Sequence, residues 1–240
     1  MRSSGQCRCE GGFMILVPVK DLANAKQRLS PMLTQSARTE LAHAMLRDVL
    51  EAVTEFGGDE VSLVTSDSFA IELAASQGFG VIRDDSNLSE TDAIDVATRV
   101  CESRGVESTL VIPADIPLIK ASEIAMIYRN APQMGSVLIP AHDGRGTNAI
   151  LRRPAALFPL RFGNDSFVPH LAAAKATGKP CVVLSLAGIG FDIDTPEDLR
   201  QLALASGNKR SQLVARRLGA LETARRPVSA VEDSIVTAKS

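Results

Sequence analysis

Thr109-Leu110-Val111-Ile112-Pro113-Ala114-Asp115-Ile116-Pro117 (residues 109–117) sets a short apolar strand directly against a carboxylate held between two prolines. The run TLVI is continuous rather than alternating, the pattern of a strand covered on both faces. Upstream, Thr91 to Arg104 reads as a helix with Ile94, Ala97 and Cys101 on one stripe, which makes Cys101 a small core hydrophobe. Before it come a strand over Phe79–Ile82, a short helix over Phe69–Ser76 ended by Gly78, and a strand over Val61–Thr65. A long helix over Thr34–Phe56 carries Leu41, Met45, Val49 and Val53 on one face, with Thr34 as its cap and Gly57-Gly58 as its stop. Phe13 to Val19 (FMILVPV) is the first strand. Downstream, a helix over Ser122–Tyr128 leads to a strand over Ser136–Pro140. A glycine-broken loop over His142–Thr147 and a short extended run over Ala149–Leu151 follow. Next come a helix over Phe167–Thr177, a strand over Cys181–Leu186 and a helix over Pro196–Ala205.

This alternation predicts an α/β fold, a mostly parallel central sheet with helices on both faces. Ligands of such folds sit beyond the C-terminal strand ends. The loops expected to carry chemistry are therefore Pro18–Arg28, Asp84–Asp92, Pro113–Pro117 and Asp192–Asp198. One domain over 14–205 is expected. Residues 1–13 read as a flexible leader, with Met14 as the natural start, and residues 206–240 as a helical or partly disordered tail holding one short helix.

Composition narrows the function classes. The chain has 240 residues, and 26 Lys plus Arg against 28 Asp plus Glu leave a formal net charge of −2, which argues against a nucleic-acid binder built on bulk positive charge. Aromatic residues are 4% with no Trp, too few for base-stacking platforms. No apolar run approaches the roughly 18 residues of a membrane span. The four cysteines are sparse, and Cys7-Arg8-Cys9 is CxC without a second pair, so neither a disulfide framework nor a zinc site is expected. Reduced thiols suit a cytoplasmic protein. GxxxxGK[ST], GxGxxG after the first strand, HExxH and GxSxG are all absent.

The acidic loops carry the chemistry. Asp192 and Asp194 are two residues apart, which places both side chains on one face of an extended segment. Asp194 could instead cap the helix at Pro196, but one cap needs only one carboxylate. With Asp115 they form an oxygen donor set suited to Mg²⁺ and phosphates. Lys20, Lys26 and Arg28, just after the first strand, offer fixed positive charge at the same sheet edge.

These pieces together resemble the guanylyltransferase family of coenzyme F420 biosynthesis. The matching stretches are Val17-Pro18-Val19-Lys20 with Ala25-Lys26 and Arg28-Leu29; Pro113 to Leu118; Asp143-Gly144-Arg145-Gly146-Thr147-Asn148; Phe162-Gly163 with Ser166-Phe167 and His170; and Asp192 to Leu199. The resemblance implies a Rossmann-like nucleotidyltransferase fold of the sugar-nucleotide synthase type. It implies transfer of GMP from GTP to phosphoenolpyruvate, 2-phospho-L-lactate or 3-phospho-D-glycerate, with pyrophosphate released and the product passed to the next F420 enzyme. By the same resemblance Asp115, Asp192 and Asp194 would hold Mg²⁺, and Thr147, Gly163 and Ser166 would bind the phospho-acid. Lys20, Lys26 and Arg28 would be catalytic, facing the nucleotide phosphates, with Pro18, Asp85 and Asp115 also at the nucleotide. One departure stands out: family members carry Gly-Leu-Asn near Asp85, where this chain reads Asn87-Leu88-Ser89. Two other readings stay open, a nucleotide-binding regulatory domain without catalysis and a cytidylyltransferase or sugar-phosphate nucleotidyltransferase. The acceptor and the choice between monomer and homodimer also stay open.

Overall fold

The fold is assembled on β1 (Phe13–Pro18), whose residues Met14 to Val17 are all buried. In the computed structural model the described residues are 12–57, 60–84, 89–163 and 165–225, with side chains described to Gly219. Side chains of β1 alternate between two cores: Ile15 and Val17 enter one, Met14 and Leu16 the other. That is the period of two expected of a strand buried on both faces. The strand pairs in parallel with β2 (Glu60–Val64) on one side and β4 (Ser108–Val111) on the other. β3 (Gly80–Ile82) extends the sheet beyond β2. Beyond β4 lie β6 (Thr147–Arg153), β5 (Gly135–Pro140) and β7 (Cys181–Val183), giving the order β3-β2-β1-β4-β6-β5-β7. Only β6 runs antiparallel to its neighbours. The sheet is therefore mostly parallel, as the alternation predicts.

The larger core takes α1 (Gln35–Phe56), α2 (Ser68–Gln77), α4 (Ala121–Asn130) and α6 (Pro196–Leu204). The opposite core takes α3 (Glu90–Ser103) and α5 (Phe167–Ala176). The expected cap of α1 forms, with the Thr34 hydroxyl accepting from the Ala37 N–H, and Gly57 closes the helix at φ 65°. A β-carbon disfavours that φ, so glycine is the residue for it.

Three local expectations change. β6 runs to seven residues where only Ala149–Leu151 are apolar, because Thr147, Asn148 and Arg152 are buried with polar partners that hydropathy does not register. β7 stops at Val183; Leu184 still donates to the Leu138 carbonyl before the chain turns. The short helix expected in the tail is α7 (Arg210–Arg225), sixteen residues long. It is packed into the larger core through Ala215 and Leu218. Its first turn is fastened by Asp48 in the middle of α1, a fully buried carboxylate accepting from the Arg210 and Ser211 N–H groups and the Ser211 hydroxyl. No helix among the described residues is long and apolar enough to cross a membrane.

Candidate active site

The C-terminal ends of β1 and β4 lie side by side, so the loops leaving them share one edge of the sheet. After β1 the chain makes two 3-10 turns, Leu22–Asn24 and Gln27–Leu29. Lys26 separates them in a left-handed conformation, φ 56° and ψ 43°. A non-glycine residue there carries a backbone cost of about 1 kcal/mol or more. What that conformation accompanies is plain: Lys26 Nζ donates to Asp115 Oδ2 at 2.7 Å and to Asp194 Oδ1 at 3.0 Å. Arg28 Nη1 reaches the other oxygen of Asp194 at 3.1 Å. Burial alone would lower the Lys26 pKa; the two carboxylates more than offset it and hold the ammonium at about 12.

The third aspartate is arranged differently. Asp192 accepts from Asn148 Nδ2 at 3.1 Å, and the same amide donates to the Ile189 carbonyl at 3.0 Å. Burial raises the Asp192 carboxyl above its ordinary range; the Asn148 bond opposes this, and the charges of Asp115 and Asp194 add to it. Asp194 is not the helix cap. Thr195 caps α6, accepting from the Asp198 N–H, while Asp198 accepts from the Thr195 N–H in return. Asp194 is thereby left to face Lys26 and Arg28.

Two clefts open on this edge. The first, about 440 Å³, is lined by Pro18, Lys20, Lys26, Met45, Glu90 and Asp115 among others. The second, about 490 Å³, is lined by Arg28, Arg145, Thr147, Gly163, Ser166 and the three aspartates. Glu90, Pro113 and Asp115 line both, so the clefts meet there. The structure thus brings together all the expected site residues it describes; Asp85 lies outside the described residues. It divides the basic trio, however: Lys20 and Lys26 line the first cleft and Arg28 the second. Gly163, at φ +133°, presents bare backbone to the second cleft, with nothing within 4 Å of where a β-carbon would stand.

Glu90 was not singled out by the sequence. It is the first residue of α3, half-buried at the junction of the clefts. Burial, then the charge of Asp115, raises its pKa to about 7 against the pull of Lys20 and Lys26. Its signal was positional: it follows Ser89 in a loop leaving a strand at the ligand edge. Ser89 is the N-cap of α3, its Oγ accepting from the Asp92 N–H at 3.0 Å. Serine and asparagine are comparable caps, so the local helix start survives the departure from Gly-Leu-Asn.

The donor set suits a hard cation. Asp115 and Asp194 already converge on one positive charge, the Lys26 ammonium, and carboxylate oxygens are the ligands Mg²⁺ takes. Among the described residues no three such side chains yet surround a single point. A metal entering between them would have to displace the ammonium and draw Asp192 from Asn148.

Comparison with known proteins matches the guanylyl transferase CofC-like family over residues 13–232. The chain belongs to that family. It is 35% identical to phosphoenolpyruvate guanylyltransferase of Roseiflexus castenholzii, over 84% of this chain and 92% of that one. It is 35% identical to 3-phospho-D-glycerate guanylyltransferase of Colwellia psychrerythraea, covering 80% and 91%. It is 32% identical to 2-phospho-L-lactate guanylyltransferase of Methanothermobacter thermautotrophicus, covering 79% and 83%. Among solved structures, one from Desulfovibrio desulfuricans G20 described as a nucleotide-diphospho-sugar transferase superposes with a TM-score of 0.73 at 18% identity, over 89% of this chain and 98% of that one. A CMP:2-keto-3-deoxy-manno-octonic acid synthetase solved with CTP gives 0.54 at 13% identity, covering 86% and 100%. At those identities the likeness shows the fold alone, an α/β nucleotidyltransferase fold. The expected family and fold class are both borne out.

Proposed function

We propose that this family member transfers GMP from GTP to the phosphate of a small phosphorylated carboxylic acid, with Mg²⁺ as the cofactor. The observation that carries the reading is the meeting of two clefts at Asp115 and Glu90, one lined by Lys20 and Lys26, the other by Arg28, Thr147, Gly163 and Ser166. GTP belongs to the first cleft and the acid to the second. An acceptor phosphate oxygen attacks the α-phosphorus of GTP; the bond from that phosphorus to the bridging oxygen breaks, and pyrophosphate leaves. The acceptor is already anionic at neutral pH, so no protein base is needed, and catalysis rests on positioning and charge. Lys20 and Lys26 bind the nucleotide phosphates, Arg28 draws in the acid, and Pro18 and Asp85 complete the nucleotide side. Asp115, Asp192 and Asp194 would hold the Mg²⁺, which when bound neutralises phosphate charge. The product, a diphosphate-linked guanosine adduct, suits a following enzyme of F420 biosynthesis.

The test is an acceptor screen with GTP and Mg²⁺ on phosphoenolpyruvate, 2-phospho-L-lactate and 3-phospho-D-glycerate, read by product mass. A guanosine adduct with at least one acid is expected, together with one pyrophosphate per adduct. Absence of adduct and of pyrophosphate with all three would sink the reading, and turnover of CTP in preference to GTP would move it to cytidylyl transfer.

A further inference from the structure

One hydroxyl of the second cleft, that of Thr147, lies 3.0 Å from the ring of a histidine that no step above uses. His170, in the first turn of α5, is 1% exposed. Its ring is engaged at both nitrogens. The Arg161 backbone N–H donates to Nε2 at 2.7 Å, and Nδ1 lies 3.0 Å from Thr147 Oγ1. A backbone amide can only donate, so Nε2 must present a lone pair. The imidazolium form carries hydrogen on both nitrogens and does not fit that amide. The neutral ring therefore holds its proton on Nδ1 and donates it to Thr147 Oγ1. Burial and the charge of Arg152 act in the same direction, lowering the His170 pKa to about 4. Phe162 packs edge-on against the ring at 5.3 Å.

The consequence falls on Thr147. With one lone pair of Oγ1 engaged by the imidazole, the hydroxyl has its own proton to give, and among the described residues no acceptor takes it. Ser166 is in the same state, its Oγ accepting the Thr147 backbone N–H at 3.1 Å. Both residues line the second cleft. Each oxygen already accepts one bond and, among the described residues, keeps its only proton unclaimed, so the wall offers two hydroxyl donors, an arrangement that suits an oxyanion.

We infer that His170 is a positioning residue: through an Nδ1–H to Oγ1 hydrogen bond it fixes the Thr147 hydroxyl as a donor to the anionic group of the acceptor. Naming that anion as the phospho-acid rests on the proposed function; the tautomer does not.

Two measurements test it. The first is ¹H–¹⁵N multiple-bond NMR on the full chain labelled with ¹⁵N-histidine, at pH 7 without ligand, with His43→Gln and His142→Gln spectra assigning the His170 ring. A neutral ring protonated on Nδ1 is expected; an Nε2–H tautomer or a charged ring overturns the inference. The second is a KM comparison of two variants. His170→Asn keeps an N–H near the Nδ1 position, whereas His170→Gln keeps an acceptor near Nε2 and loses the donor to Thr147. The Gln variant should raise the acceptor KM about tenfold, the equivalent of one lost hydrogen bond to a charged group, with the GTP KM within about twofold. The Asn variant should stay within about threefold of wild type. In a Thr147→Val background the Gln change should add almost nothing. Equal losses in both variants, parallel rises in the two KM values, or additive effects would each overturn the role. If no acid is turned over, the functional reading fails and the NMR result alone decides the tautomer.

Discussion

Lys26→Gln isolates what the ammonium does between the aspartates. The wild-type side chain is 10% exposed and bonds both Asp115 and Asp194, which are 33% and 40% exposed. Removing one partner of a fully buried ion pair costs about 3–5 kcal/mol. The exposed carboxylates can partly resolvate, and exposed pairs are worth only about 0–1 kcal/mol. A loss of about 1–3 kcal/mol follows, or a fall in Tm of about 2–6 °C for a chain of this size. The pH window has a definite sign. A base whose pKa rises from 10.5 to about 12 on folding contributes stability fully present below 10.5 and lost as pH climbs through 12. Between pH 6 and 9 the titration of Lys26 itself therefore adds no slope to the deficit of the variant, and any growth of the deficit through pH 7 comes from Glu90, which loses the pull of Lys26. The assay is calorimetric melting at pH 7.5 with and without millimolar MgCl₂. Because a divalent ion can replace the missing positive charge, Mg²⁺ should raise the Tm of the variant by more than that of wild type. Equal Mg²⁺ effects in the two proteins, or an unchanged Tm without metal, would refute the view that Lys26 holds the place of a cation.

Three further outcomes can be checked. Glu90→Gln should melt like wild type near pH 5 and higher at pH 8, because a carboxyl whose pKa rises from 4.5 to about 7 on folding loses stability as pH rises through that range; the ceiling is about 3 kcal/mol, and solvent screening reduces it to about 1. Equal melting differences at the two pH values would show that Glu90 is not held protonated. Asp48→Ala should cost about 3 kcal/mol or more in urea unfolding, since it strips the Arg210 and Ser211 N–H groups of their buried acceptor, and a cost under about 1 kcal/mol would mean α7 is held by its apolar contacts alone. Asp115→Asn should lower kcat for pyrophosphate release about a hundredfold or more, and a loss under about threefold would remove Asp115 from the chemistry.

Much of the fold is legible because parallel strands buried on both faces are continuous apolar words, and FMILVPV and TLVI are such words. β6 is harder: Thr147, Asn148 and Arg152 are buried with polar partners from distant segments, and no periodicity announces a partner. α7 is obscured for the same reason, since its anchor is one aspartate 162 residues upstream. The site divides likewise. Asp115 follows the end of β4, and Asp192 and Asp194 lie in the loop that leads into α6, so their residue type and loop placement suffice to find them. His170 and Glu90 act through geometry between distant segments: one ring joins Arg161 to Thr147, one carboxylate joins two clefts. The motif Phe162-Gly163 to His170 marks the ring as a residue of interest without saying what it touches.

The spacing of Asp192 and Asp194 acquires its meaning from the residue between them. Ile193 is fully buried, and its N–H donates to the Asp115 carbonyl at 3.2 Å. An apolar anchor with carboxylates on either side turns both of them toward the cleft while tying the segment to the loop that carries Asp115. Thr195 then takes over the capping of α6, a task Asp194 would otherwise perform, and Asp198 closes the box. Each aspartate in the run therefore has its own partners: Asp192 meets Asn148, Asp194 meets Lys26 and Arg28, and Asp198 sits at the helix start, while Glu197 pairs with Arg200. The three aspartates of these seven residues would repel one another if all faced the same space. They are tolerated because helix amides neutralise one, a side-chain amide holds the second, and two cations hold the third. A net charge of −2 conceals this arrangement, in which local pairing rather than the total sets what the cleft can bind.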